Sequence, residues 1–271
     1  MTDVMIGTRG GIRRRRPVGA AVAAWVVLAV AGLAGAAQAA EPEWVKGRRF
    51  TVGFAQDNLG NDWRAVQAKQ LRQALEPYPF ITFGLADARG DAARQIRDIE
   101  DFVARRVNVL VTSPQDGVRA APAITRAAQA GIPVVLLSRA APGAEVTTFI
   151  APDNRELGRD VALFFAERTK KPTRILVLQG IPTSTAAIER TEGFREEVNR
   201  HKHLGIAAIV PANYLRADAV RAMEDILAKK IPFDALYAQS DSMAIGARVA
   251  LRRAGIDPAT VEAMVETAME A

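Results

Sequence analysis

From residue 49 onward the chain alternates between apolar runs of strand length and helix-period segments, with short punctuation between them. This rhythm constrains the fold more than any single motif. The runs FTVGFAQ, FITFGLAD, VNVLVTSP, IPVVLLSR and TTFIAPDN are followed by RILVLQG, GIAAIVPANY and FDALYAQSD. Between them lie helical patterns over about 62–76, 91–105, 118–130, 155–168, 185–200, 217–229 and 243–254. Gly131 supplies a C-terminal stop for the third. NVLVTS, IPVVLLS and RILVLQ are almost continuously apolar, as strands are when helices cover both faces of a parallel sheet. The expectation is an α/β fold with right-handed crossovers. The stretch SRAAPGAEVTT joins two strand runs without a helix, which favours two doubly wound parallel-sheet lobes over one closed barrel. The lobes are expected at 46–150 and 151–257, followed by a divergent, helix-like tail over 258–271.

A chain of 271 residues that is 49% hydrophobic has enough apolar material for two such cores. Its net charge of +6 is unevenly placed. Five of the 36 basic residues and one of the 30 acidic ones lie in 1–39, so the other 31 and 29 leave the body at only +2. That body has no phosphate-seeking field, which argues against nucleic acid as a partner. Residues 1–39 instead read as an export signal. Arg13, Arg14, Arg15 and Arg16 precede an apolar run from about Val18 to Leu33, and an Ala37-Gln38-Ala39 processing tripeptide follows. Cleavage near Ala39 and a periplasmic location are the expectation, by a general or a twin-arginine route. The absence of cysteine excludes disulfides, thiolate metal ligands and a cysteine nucleophile.

In open parallel sheets, ligands bind beyond the carboxyl ends of the strands. At those ends the chain places QDNLGNDWR, SPQD, SRAAPG, APDN, QGIPTSTAAIER, PANY and AQSD. Polar loops are ordinary, but one end of a sheet gathering Trp63, Tyr214, Arg64, Arg139 and Arg190 points to a cleft. Trp63 lies roughly 110° around its helix from the Ala68, Leu71, Leu75 stripe, so it does not belong to that helix's core face.

Five segments, VGFAQDNLGNDW, GIPVVLLSR, TTFIAPDNRELGR, LVLQG with AAIERTEGF, and YAQSDSMAIGA, occur in an order and spacing that resemble the periplasmic sugar-binding proteins of ABC importers. The likeness is to the ribose-binding type and its galactofuranose-binding relatives, over about 51–258. It implies two α/β lobes joined by a hinge and closing over one monosaccharide, a pentose or hexose in pyranose or furanose form. It also implies delivery to a membrane permease, which would be the chain's sole contact with a membrane, and action as a monomer with no enzymatic activity and no cofactor. The sugar contacts carried over are Asn61, Trp63 and Arg64 in the first loop, Ser113 after the third strand, and Ser138 with Arg139 after the fourth. In the second lobe they are Arg190, Tyr214, Ser240 and Asp241. An aromatic plane suits the C–H face of a sugar ring, and arginine forks suit its hydroxyl rim.

Two positions depart from the pattern. Ser138 stands where an aspartate is expected and Ser240 where an asparagine is expected, which implies a different sugar or bulkier substituents. The resemblance also implies a further strand, an Asp-Gly ligand segment and a return crossing, so the second lobe is expected to be incomplete. A signalling module for a chemoreceptor or sensor kinase, or a truncated product without transport activity, is the alternative. His201 and His203 read as solvated last-turn cations, and Glu192, Glu196 and Glu197 as an exposed helix face. No hydrolase or phosphate-loop motif occurs.

Overall fold

The computed structural model describes residue 43 and residues 46–265, and the expected export signal lies outside them. The described residues form one compact unit containing two parallel sheets. The first sheet has strands β1 (Phe50–Gln56), β2 (Ile81–Asp87), β3 (Val109–Ser113), β4 (Val134–Leu137) and β5 (Thr148–Ile150), in spatial order β2-β1-β3-β4-β5. The second has β6 (Thr173–Gln179), β7 (Leu204–Pro211), β8 (Ala235–Ala238) and β9 (Glu262–Val265), in order β7-β6-β8-β9. Every pairing is parallel. In both sheets the order reverses beside the first strand, which opens a crevice at the carboxyl ends of β1 and β6.

Seven helices connect the strands: α1 (Asp62–Leu75), α2 (Ala92–Ala104), α3 (Gly117–Gln129), α4 (Asn154–Arg168), α5 (Thr185–Val198), α6 (Arg216–Ala228) and α7 (Asp241–Arg253). They cover both faces of each sheet. In the first half Ala68, Leu71 and Leu75 of α1 meet Val52, Phe54 and Val111 on one side. Ile99 and Phe102 of α2 and Ala123 and Ile124 of α3 meet Leu110 and Leu136 on the other. In the second half α4 and α5 pack Phe165 and Phe194 on one face, while α6 and α7 pack Met223 and Leu251 on the other. This two-sided covering is why the strand runs are apolar throughout.

Helix starts are specified locally. Asn61, Asp91, Asp116, Asp153, Ser184 and Ser240 each accept a backbone N–H of the first turn, and only α6, preceded by Leu215, has no side-chain cap. Such caps follow strands directly, so the sheet ends and helix starts form one layer. Gly131 has φ +77°, as its stop function requires.

The tail differs from the sequence expectation. Residues Pro258–Thr260 form a 3-10 turn, and Glu262–Val265 pairs in parallel with β8 as the fourth strand of the second sheet. Helix-forming Glu, Ala and Met dominate this segment, but the unpaired edge of β8 outweighs local propensity. Glu197 is a second correction. It is buried, at 6% exposure, and bonded by Arg200 at 2.6 Å and His201 at 3.1 Å, whereas Glu192 and Glu196 stay on the surface with Arg155.

Candidate functional site

The carboxyl ends of the two sheets face one another across a cavity of about 210 Å³. That is roughly seven times the ~30 Å³ each water occupies in the liquid, which suits a small polar molecule. Nine of the ten residues expected from sequence line it: Asn61, Trp63, Arg64, Ser138, Arg139, Arg190, Tyr214, Ser240 and Asp241. Ser113 does not. It ends β3 fully buried, and its carbonyl accepts Gln95 Nε2 at 3.0 Å, so its short side chain stays within the first half's core. Trp63 is 38% exposed on the cavity wall, away from the α1 core stripe.

A buried carboxylate absent from the expected set organises the first half's wall. Asp57 follows β1 with no exposure and pairs with Arg139 Nη1 at 2.8 Å. Arg64 Nε lies 3.3 Å from its other oxygen, an ion pair by distance without hydrogen-bond alignment. Arg64 also donates to Gln67 Oε1 at 3.0 Å. Burial by itself raises the Asp57 carboxyl, but the pull of Arg139 and then Arg64 outweighs it and leaves the group below the ordinary value. Arg64 is brought down to about 10, chiefly by burial and then by repulsion from Arg139. The Arg64 guanidinium is therefore charged near pH 7. The sequence resemblance expects the acid beside Arg139 at position 138; here it comes from Asp57, 82 residues upstream of its partner. Its signal was an acid directly after the first, largely apolar strand.

Ser138 itself occupies a strained turn. Its φ is +64°, and Arg139 N–H donates back to Leu137 O at 2.8 Å, closing a three-residue loop around it. That loop turns Arg139 inward, where the guanidinium carbon lies 5.4 Å from the Tyr214 ring centroid. Tyr214 also has positive φ, +61°, and its ring packs against Gly180, where a Cβ would come within 2.0–2.5 Å of the ring's Cζ and Cε atoms. Its hydroxyl is buried without a hydrogen-bond partner.

Arg190 is positioned by helix packing. A Cβ on Gly158 of α4 would collide with the Arg190 carbonyl, and one on Gly193 of α5 with the Arg155 carbonyl, so these helices touch backbone to backbone. The close approach sets Asn154, first residue of α4, beside Arg190, whose Nε donates to Asn154 Oδ1 at 2.9 Å. Arg190 Nη1 also donates to Gln239 O at 2.9 Å. Asn154 and Gln239 line the cavity as well and were not singled out from sequence. Asn61 and Ser240 prove to be caps: Asn61 Oδ1 accepts Arg64 N at 2.8 Å and Ser240 Oγ accepts Met243 N at 3.3 Å. Each keeps donor capacity, and Asn61 Nδ2 reaches Tyr214 O at 3.4 Å in the other half. Ala140 N to Thr185 Oγ1, at 2.9 Å, is a second bond between the halves. Among the described residues no group of three His, Cys, Asp or Glu could hold a metal ion.

The periplasmic binding protein domain model matches residues 52–269. The chain belongs to that family. Within it, the chain is 28% identical to the ribose import binding protein of Bacillus subtilis over 80% of its own length and 72% of that protein. It is 34% identical to the ribose import binding protein of Escherichia coli over 62% of its length and 57% of that protein. A crystal structure of a galactofuranose binding protein superposes with a TM-score of 0.74 at 28% identity, covering 79% of this chain and 75% of that one. The two ribose proteins are import binding proteins rather than enzymes, and the galactofuranose binding protein shares this fold. The family match runs through the strand Glu262–Val265.

Proposed function

We propose that the exported chain captures a monosaccharide in this cavity and hands it to the permease of an ABC-type sugar importer. The observation that carries the reading is the convergence of Trp63, Arg64 and Arg139 from the first half with Arg190, Tyr214 and Asp241 from the second around one small cavity. Trp63 covers an apolar ring face, the arginines grip hydroxyl or other oxygens, and the unpartnered Tyr214 hydroxyl supplies a further bond. Residues from both halves meet on one molecule, so binding favours the arrangement in which the halves touch. That arrangement in turn presents a defined surface to the permease.

Titration of the purified chain with pentoses and hexoses, followed by tryptophan fluorescence, tests this. A saturable change with one sugar, lost in Trp63→Ala, is expected. A flat response across the sugars from a cooperatively melting protein refutes it.

A further inference from the structure

Arg64 and Arg139, two buried guanidiniums of the cavity wall, share the buried carboxylate of Asp57. The triad therefore carries one uncompensated positive charge where water is largely excluded. Uncompensated buried charge is costly, and structures retain it where a partner supplies the missing charge. The cavity's other carboxylates do not supply it. Asp62 has its side chain 86% exposed and faces Arg216 at 3.7 Å. Asp241 has no ion pair among the described residues, and burial raises its carboxyl with no cation holding it down. The Arg64 guanidinium, brought down to about 10 by burial and then Arg139, shows the same deficit from the cationic side.

We infer that the ligand is an anionic monosaccharide carrying one carboxylate, a sugar acid of the aldonate or uronate class, with its carboxylate on the Arg64–Arg139 pair. The surplus of one positive charge within the triad itself matches a monoanion, and planar guanidiniums match the two oxygens of a carboxylate. The sugar body then lies between Trp63 and Tyr214. This inference rests on the monosaccharide-binding reading and narrows its substrate class.

The test is calorimetric titration of the full chain with matched pairs: galacturonate against galactose, gluconate against glucose, and ribonate against ribose. One acid is expected to bind at least about ten-fold more tightly than its parent sugar, since a charged hydrogen bond is worth that much or more. Arg64→Gln is expected to bring the acid-to-neutral ratio toward one. Asp57→Asn, which enlarges the deficit, is expected to raise it, so the two variants read the same charge in opposite directions. A neutral parent binding as tightly as its acid overturns the charge assignment and leaves the sugar-binding reading standing. An acid preference that neither variant alters overturns its assignment to this triad. No binding of either class by a cooperatively melting protein overturns both readings.

Discussion

Replacing Asp57 by asparagine keeps the shape of the side chain and removes its charge. In the folded protein the carboxylate is fully buried, 2.8 Å from Arg139 Nη1 and 3.3 Å from Arg64 Nε. Without it, two guanidiniums, at 3% and 1% exposure, are left with no compensating charge from this position. Removing one partner of a buried ion pair costs about 3–5 kcal/mol. For a chain of this size, at about 2–4 °C per kcal/mol, the melting temperature should fall by about 6–20 °C. Circular-dichroism melts and urea unfolding of the wild type, Asp57→Asn, Arg139→Gln and the double variant would measure it. The double-mutant cycle should show positive coupling between positions 57 and 139. The pH dependence follows from the lowered Asp57 pKa. A carboxyl depressed in the folded state stabilises fully above its unfolded value of about 3.9 and loses that contribution as pH falls through the folded value. Wild type should therefore lose more stability than Asp57→Asn on acidification below about pH 4. An Asp57→Asn variant that melts within 2 °C of wild type, with no coupling to Arg139, would refute the reasoning.

Three further outcomes are expected. Arg190→Ala removes a cationic donor from the cavity wall and should weaken ligand binding by roughly 10- to 150-fold, read by calorimetry on protein of verified melting behaviour. Gly180→Ala places a methyl 2.0–2.5 Å from the Cζ and Cε atoms of Tyr214, so the ring must move, and chemical denaturation should show a loss of about 1–3 kcal/mol together with weakened binding. On the far side of the second sheet, Asp234 accepts Arg174 Nε and Nη2 at 2.9 and 3.0 Å, and this places its pKa at about 2. Carboxyl-detected NMR titration should find it there and should find it near about 3.9 in Arg174→Gln. Its stabilising contribution is present above the latter value and fades as pH falls toward 2.

The strand runs were legible because their causes are local, and the cap residues, although not singled out, rest on equally local causes. Asparagine, aspartate or serine after an apolar run accepts the first free N–H groups of the next helix whatever the rest of the chain does. Asp57 was visible as an acid after β1, but its role depends on Arg139, brought to it by the β3–β4 side of the sheet and the turn at Ser138. Ser113 differs for the converse reason: it is the last residue of β3 itself, beside the packed Gln95, and lies outside the cavity lining. The strand at Glu262–Val265 escaped because pairing energy comes from β8, while the segment's own composition favours a helix.

The sequence alone therefore determined the alternating α/β plan and the layer in which the site lies, while the family resemblance supplied the set of which nine residues lie on its wall. Periodicity, capping and apolar run length act over a few residues, and a linear reading contains all of them. Tertiary structure decided the charge balance of the cavity, the seating of Tyr214 on Gly180, and the pairing of Asn154 with Arg190. Those features depend on burial and on distances between groups tens of residues apart, and electrostatics in a dry cavity is set by such distances.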